Sequence, residues 1–415
     1  MNFTKSQELL SKAEKVIPVC TQTFSKGYLY FPKGVSPVYL EHGEGSHVWD
    51  VDGNKFIDFI CGLGPITLGW NYPRINESIK SQLDAGIIFS LPHPLEVELS
   101  EVLNGIIPCA EMVRFFKTGS EACQAAIRAA RAYTDRDHIA FRGYHGWHEW
   151  YAVKSERPKG IPDAYDDYIH QFEYNDIDSL RAIFDLYPDQ VAAVIMEPVI
   201  VEKPKTGFLE QVKLLCQQNR ALLIFDEIVT GFRWSFGGAQ EYFNIVPDLA
   251  CFGKGMANGM PLNCVVGRAD IMKEFEEIFV SSTFGGECLS LAAGLATIQE
   301  MWDRETIEHC WQMGKKLMTG LQNIGLKMGG YPCRPAILTE FSHQEKALFI
   351  QEYIKRGILI HSSLVINLCY SHTTDDITKA VNACGEAYSV VRKTIASEDW
   401  SVLKGEIIQP MFRRL

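Results

Sequence analysis

The sequence has no Cys-x-x-Cys pair, no run of eighteen apolar residues and no long basic stretch. Each absence closes a class of function. The twelve cysteines are scattered from Cys20 to Cys384, many in apolar stretches such as LLCQQ and DLACFG. That pattern reads as reduced, buried thiols in a cytoplasmic protein rather than a disulfide framework. The eleven histidines show no zinc spacing with those cysteines, so no metal is expected. No segment is long and apolar enough for a membrane span. The first residues, MNFTKSQELLSKAEKVIP, read as a polar amphipathic helix without the apolar region of a signal peptide. A net charge of −11 argues against nucleic-acid binding. The phosphate-binding pattern G-x-x-x-x-G-K-[ST] is also missing. Lys254 follows Gly253, but Asp248 and Gly255 stand where that pattern needs Gly and Ser or Thr. The run ALLIFDE (221–227) is therefore not the magnesium strand of a nucleotide hydrolase.

What is present points to a large α/β chain. At 415 residues and 47% hydrophobic it can bury a sizeable core, in two or three domains or one big unit. HVWDVDGNKFIDF (47–59) carries an Asp-Gly turn at Asp52-Gly53 between apolar alternations, a hairpin signal. Strand-like runs at 112–118, 138–143, 191–198, 221–227 and 248–253 then alternate with helical stretches such as 120–134. This alternation predicts a mostly parallel sheet with helices on both faces. Residues 71–325 are expected to form the large domain. Residues 1–70 and 326–415 together are expected to form a smaller α/β domain.

In open α/β sheets the ligand lies beyond the carboxyl ends of the strands. Gly119 and Ser120 follow the first strand at a helix start, where free N–H groups suit a phosphate. The other reading is a capping box from Ser120 to Cys123, with Cys in place of Glu or Gln. GYHGWHEW (143–150) offers a ring to stack on a planar ligand, or simply core aromatics. His145 and His148 lack a third metal ligand nearby. Asp226 ends a buried strand, aimed at a pyridinium nitrogen or capping the next turn. Lys254 sits in ACFGKGMANGMP (250–261), as an exposed loop lysine or as a desolvated amine. A free lysine has a pKa near ~10.4, so a reacting amine must lose that proton. In this order, phosphate cradle, aromatic ring, carboxylate and lysine describe a pyridoxal phosphate site.

TGSEACQAAIRAAR, GYHGWH, LLIFDEIVTGFR, PDLACFGKGMANGMPL and STFGGECLSLAAG resemble the class III, fold-type I aminotransferases. The likeness is strongest to their glutamate-1-semialdehyde 2,1-aminomutase subgroup. GSHVWDVDGNKFIDFICGLGPITLGW (45–70) and SHTTDDI (371–377) extend it over nearly the whole chain. The resemblance implies pyridoxal 5'-phosphate held as an imine on Lys254, with Asp226 paired to its ring nitrogen. It implies Tyr144 on one face of the ring and Ile228 on the other. Gly119 and Ser120 would hold the phosphate. Glu197 would lie near the ring hydroxyl, and His145 joins these cofactor-binding residues. Thr283 would reach the phosphate of a neighbouring subunit, so a homodimer with small-molecule substrates is expected.

Three departures argue against the aminomutase reaction. The region KGYLYFPKGVSPVYLEHG (26–43) lacks the arginine that in the aminomutases helps hold a substrate carboxylate. Leu63 stands for their tryptophan, and Glu287 for the Asn of their gating segment. FPKGVSP, GFRWSFGGAQ and FGGECLSLAA are similar to class III aminotransferases of bacterial surface-polysaccharide pathways. The expected activity is amino transfer from glutamate to an oxidised sugar acid of the 8-oxo-3-deoxy-octulosonate type. Arg233 is the candidate for the glutamate carboxylate. Glu287 and Leu63 are the candidates on the acceptor side. The alternative is the aminomutase itself. A non-catalytic pyridoxal-fold binding protein is a third reading, disfavoured because Lys254 and Asp226 are both present.

Overall fold

A computed structural model describes residues 1–409. The chain divides into two compact units, Pro73–Ile307 and Met1–Tyr72 with the chain from Glu308 onward.

The central unit is built on a seven-stranded sheet. Its order is Met112–Phe116, Asn263–Gly267, Leu249–Phe252, Leu222–Asp226, Val191–Met196, His138–Arg142 and Ile169–Gln171. Asn263–Gly267 runs antiparallel to both its neighbours. The remaining pairs are parallel. Every residue of the four central strands from Val191–Met196 to Asn263–Gly267 is buried. That fits continuous apolar runs covered on both faces. The helix Gly119–Thr134 lies on the sheet through Ala122, Cys123, Ala126, Ala129 and Ala130, small side chains that permit close approach. The expected mostly parallel sheet is present. The antiparallel strand was not anticipated, because NCVVG is too short to show a period of two.

The helix at 119 begins differently from the sequence reading. Its cap is Thr118, not Ser120. The Thr118 hydroxyl accepts the Glu121 N–H at 3.2 Å, and a Glu121 carboxylate oxygen accepts the Thr118 N–H at 2.8 Å. The capping box is therefore complete two residues upstream, and the Ser120 side chain is not used for it.

The second unit joins the two ends of the chain. The hairpin expected at 47–59 is present, His47–Asp50 pairing antiparallel with Lys55–Asp58. Leu40–Glu44 flanks it on one side, and Ile358–Leu359 pairs parallel on the other. The helices Thr306–Asn323, His343–Lys355 and Thr374–Ser397 build the core over it. Cys310, Met313, Leu317 and Leu321 pack with Leu348, Ile354 and Ile377. The first of these helices therefore belongs to the terminal unit, and the division falls at 307/308 rather than at the expected 325/326. An amphipathic helix goes with whichever core takes its apolar stripe, which the sequence alone does not specify. All twelve cysteines are free and buried. Among the described residues no helix is long and apolar enough to cross a membrane.

Two helical glycines give opposite expectations. A Cβ at Gly105 would meet nothing within 4 Å, whereas one at Gly314 would lie 1.6 Å from the Pro332 carbonyl oxygen. Alanine is favoured over glycine in a helix by about 0.5–1 kcal/mol. Overpacking against backbone costs about 1–3 kcal/mol, so at Gly314 the clash wins. Gly105→Ala should raise the thermal midpoint and Gly314→Ala should lower it. Midpoints moving in the same direction would contradict this packing.

Candidate active site

The five strands of the central sheet that carry candidate residues run parallel to one another, so their carboxyl ends share one edge. Thr118-Gly119-Ser120, Gly143–Gly146, Glu197, Asp226 and Gly253-Lys254 follow those ends in sequence. Side-chain contacts tie them into one group.

Asp226 is buried at the end of its strand. Its Oδ2 lies 2.8 Å from His145 Nδ1 and accepts the Cys123 thiol at 3.4 Å. Its Oδ1 accepts the Ile228 N–H at 3.1 Å. The other nitrogen of His145, Nε2, lies 3.2 Å from the Arg142 carbonyl oxygen. Both ring nitrogens therefore face acceptors, and both must carry hydrogen. Burial alone would lower the His145 pKa. The Asp226 hydrogen bond and charge, helped by Cys123, push it up to about 10. His145 is accordingly an imidazolium paired to the Asp226 carboxylate.

Ser120 is held by the loop after the His138–Arg142 strand. Its hydroxyl oxygen accepts the Trp147 N–H at 2.9 Å and lies 2.7 Å from His148 Nδ1. His148 Nδ1 is also 3.0 Å from the Ser120 carbonyl, so this nitrogen carries hydrogen. The hydroxyl oxygen accepts twice and keeps its own hydrogen to donate, as a phosphate requires. Tyr144 is fixed through its N–H, which donates to Glu197 Oε1 at 2.7 Å. Its ring meets Tyr151 edge-on at 5.5 Å.

Glycine is required at two of these approaches. Gly146 has φ +99°, and a Cβ there would lie 2.2 Å from the Ser120 hydroxyl. A Cβ at Gly253 would lie 1.8 Å from Asn263 Oδ1 and 3.1 Å from Ile228 Cδ1. Asn263 is committed, donating to the Lys117 carbonyl at 2.9 Å. Lys254 follows with φ +36°, left-handed backbone unusual for a long side chain. Strain of that kind persists where surrounding structure enforces it, often at functional positions. Ile228 lies against both Gly119 and Gly253, and a Cβ at Gly119 would meet it at 3.1 Å.

The chain therefore brings Gly119, Ser120, Tyr144, His145, Glu197, Asp226 and Ile228 into one network, with Lys254 beside Gly253. Its donors, glycine approaches and the Asp226–His145 pair fit pyridoxal phosphate. The substrate candidates and Thr283 are placed differently. Arg233 is buried, its N–H donating to the Thr230 carbonyl at 3.2 Å. Thr283 is exposed, in the turn before the Cys288–Asp303 helix. Leu63 belongs to the terminal unit, with φ +79°. Glu287 caps the Cys288–Asp303 helix. Its Oε1 accepts the Leu289 N–H at 2.7 Å, and its Oε2 accepts the Ser290 hydroxyl at 2.6 Å and Lys117 Nζ at 3.0 Å. Burial would raise its pKa, but the Ser290 and Lys117 contacts outweigh that and hold it below the usual range.

Cys123, Lys117, Trp147 and His148 were not anticipated as parts of this network. For Cys123 the signal was its place three residues after Ser120, one turn along the same helix face. Lys117 and Glu287 carry no local signal, since their pairing joins a strand end to a distant helix cap.

Comparisons with known proteins show the family of the chain. The family profile described as Aminotransferase class-III matches residues 30–371. The chain is similar to a 3-aminobutyryl-CoA aminotransferase of Cloacimonas acidaminovorans (strain Evry). The two are 35% identical over 416 residues, 95% of this chain and 99% of the relative. It is as similar to a glutamate-1-semialdehyde 2,1-aminomutase of Alkaliphilus oremlandii (strain OhILAs). That relative is 35% identical over 427 residues, 94% of this chain and 99% of its own. Among solved structures, the Sphingopyxis sp. MTA144 FumI protein in its PLP internal aldimine form superposes with a TM-score of 0.89. It is 27% identical and covers 95% of this chain and 98% of that one.

The charge pair predicts a pH dependence. His145 has its pKa raised from an ordinary 6.5 to about 10. Its contribution to stability is fully present below pH 6.5 and is lost as pH rises through about 10. The thermal midpoint of the native protein should exceed that of His145→Asn most at low pH, the gap closing as pH rises to about 10. A gap that widens with pH over that window would refute the imidazolium assignment.

Proposed function

The chain belongs to the class III aminotransferase family of pyridoxal phosphate enzymes, and from that premise we propose that it moves an amino group between a separate donor and acceptor. The observation that carries this reading is the Asp226–His145 pair at one strand end with Lys254 at the next. When bound, pyridoxal phosphate supplies an aldehyde that condenses with amines and a ring that withdraws electrons. Lys254 holds the group through its ε-amine and, when released, carries a proton to or from the substrate carbon. Asp226 would accept the hydrogen bond of the ring nitrogen, with His145 holding the carboxyl group in place at 2.8 Å. Ser120 and the N–H groups of the helix start take the phosphate, as a helix N-terminus does for anions. Tyr144 and Ile228 close the two ring faces, and Glu197 lies by the ring hydroxyl.

A second copy of the chain brings its own Thr283 to the phosphate, so the working unit is a homodimer. The exposed Phe279 and Phe284 on the same segment support a covered face there. Twelve buried free thiols support a reducing, cytoplasmic setting.

Glutamate is the donor, with Arg233 the candidate for its carboxylate. The acceptor is a polar carbonyl compound of the oxidised sugar-acid type. Its support is in the sequence, in the arginine-free region 26–43, Leu63 and the short stretches named above. Glu287 adds nothing to it, because its oxygens serve a helix cap and Lys117. The relative that is an aminotransferase favours a separate donor. Relatives named aminomutase, at equal identity, keep that reaction as the second reading.

Borohydride should abolish the visible band of the purified protein and leave the reduced adduct on Lys254. In untreated protein, glutamate should release 2-oxoglutarate once per site, and turnover should follow on adding an oxidised sugar acid. Asp226→Asn should retain bound cofactor and lose about 10²–10³-fold in rate, the range for removing one preorganised electrostatic partner. Conversion of glutamate-1-semialdehyde to 5-aminolevulinate with no external donor would establish the aminomutase instead. Sustained turnover by Lys254→Ala would overturn both.

A further inference from the structure

Cys123 touches the carboxyl group of Asp226 but has no task in the amino transfer proposed for the chain. It stands on the helix Gly119–Thr134, one turn beyond Ser120, and is 1% exposed. Its sulfur lies 3.4 Å from Asp226 Oδ2, the oxygen that His145 Nδ1 meets at 2.8 Å. Its other neighbour is the Cys251 thiol, to which it is hydrogen-bonded. Cys251 is the residue directly opposite Asp226 on the adjoining strand.

The thiol keeps its hydrogen. The contact with Cys251 and then burial hold it well above the ordinary thiol range. An S–H that faces a carboxyl oxygen donates to it, weakly but with a definite direction. A buried cysteine often serves only as a small apolar residue. Alanine does that work elsewhere on this face of the helix, at Ala122, Ala126, Ala129 and Ala130. At 123 alanine would leave Oδ2 one donor short.

Counting acceptor positions shows what that donor decides. Each carboxyl oxygen can accept twice. The His145 and Cys123 contacts fill Oδ2. Among the described residues Oδ1 takes only the Ile228 N–H, at 3.1 Å. One position remains, and it is on Oδ1. Without the thiol, both oxygens would offer an open position and a new donor could meet either.

We propose that Cys123 is a positioning residue for the ring nitrogen of the cofactor, closing Oδ2 of Asp226 so that Oδ1 alone receives the ring N–H. This role rests on the pyridoxal phosphate reading of the site and acts only through Asp226. Serine in its place would still donate to Oδ2, and alanine would not.

The probe is the analogue of pyridoxal phosphate in which CH replaces the ring nitrogen. Full-length protein stripped of cofactor is titrated with each compound, and the ratio of the two dissociation constants is read. Phosphate, ring faces and Lys254 are common to both ligands, so the ratio isolates the ring nitrogen. The native protein should prefer pyridoxal phosphate. Cys123→Ala should cut that preference by about threefold to tenfold, within the range for groups that share a partner. Cys123→Ser should restore most of it. Cys216→Ala, at a buried thiol of the helix Phe208–Gln218, should leave the ratio at its native value. Lost packing alone would weaken both ligands equally.

Since Cys123→Ala could misfold, the infrared S–H band of the native protein gives a second measurement. Assigned by its disappearance in Cys123→Ser, the Cys123 band should shift more with pyridoxal phosphate than with the analogue. An unchanged ratio in Cys123→Ala, an equal loss in Cys123→Ser or equal band shifts would overturn the role and leave amino transfer standing. So would a native protein that binds the two compounds equally. A native protein that forms an imine with neither would overturn the amino-transfer reading and this role together.

Discussion

Asp226 lies at the end of a fully buried strand, and the loops of the central unit converge on its carboxyl group. His145 is its partner, 2.8 Å away, and that contact pushes the imidazole pKa up against the effect of burial. That histidine is fixed in turn by the Arg142 carbonyl and by Trp150, which stacks near it at 6.0 Å. The pair is preorganised, so no solvent has to rearrange when a positive ring nitrogen arrives. The neighbouring carboxylate behaves differently. Glu227 is equally buried, and burial raises its pKa to about 7 against the Thr230, Ala239 and Gln240 contacts that lower it. Two adjacent acids therefore have separate tasks, one paired with His145, the other capping the helix Gly238–Phe243.

Around that pair the backbone is packed to contact distance. Gly146 sits on Ser120, Gly119 and Gly253 sit on Ile228, and Gly143 sits on Glu197. These glycines belong to three different loops, so the site is specified by mutual exclusion among loops as well as by polar bonds. A side chain added at any of them would push apart elements that carry reacting groups. This is the physical reason that Lys254 stands among glycines. Its strand must end against Asn263 and Ile228 before the chain turns sharply through a left-handed residue.

The parts legible in the sequence were those set by local chemistry. Five strand runs, the hairpin at 47–59 and the order of polar residues at strand ends all follow from periodicity and turn residues. What could not be read depends on contacts far apart in the chain. The Asn263–Gly267 strand is defined by its two neighbours rather than by its own pattern. The helix Thr306–Asn323 has an apolar stripe that suits either unit, and only the three-dimensional core decides. The Thr118–Glu121 box is a local signal, Thr-x-x-Glu, lying two residues upstream of the weaker Ser120–Cys123 spacing. Cys61 and Cys369 approach each other from opposite ends of the chain, which no spacing rule within either segment reveals.

Glu287 shows how a departure from a family pattern acquires its meaning from structure. Read alone, a carboxylate in the gating segment suggests a changed substrate pocket. In the fold its charge is met by Lys117, at 3.0 Å, and both side chains are largely buried, at 12% and 15% exposure. Lys117 immediately precedes the Thr118-Gly119-Ser120 turn, so the pair ties the start of the Gly119–Thr134 helix to the first turn of the Cys288–Asp303 helix. Surface ion pairs contribute about 0–1 kcal/mol. This pair is more enclosed than a surface one, so losing one partner leaves a poorly solvated charge and costs more than that. A carboxylate at 287 is tolerable because a lysine stands at 117.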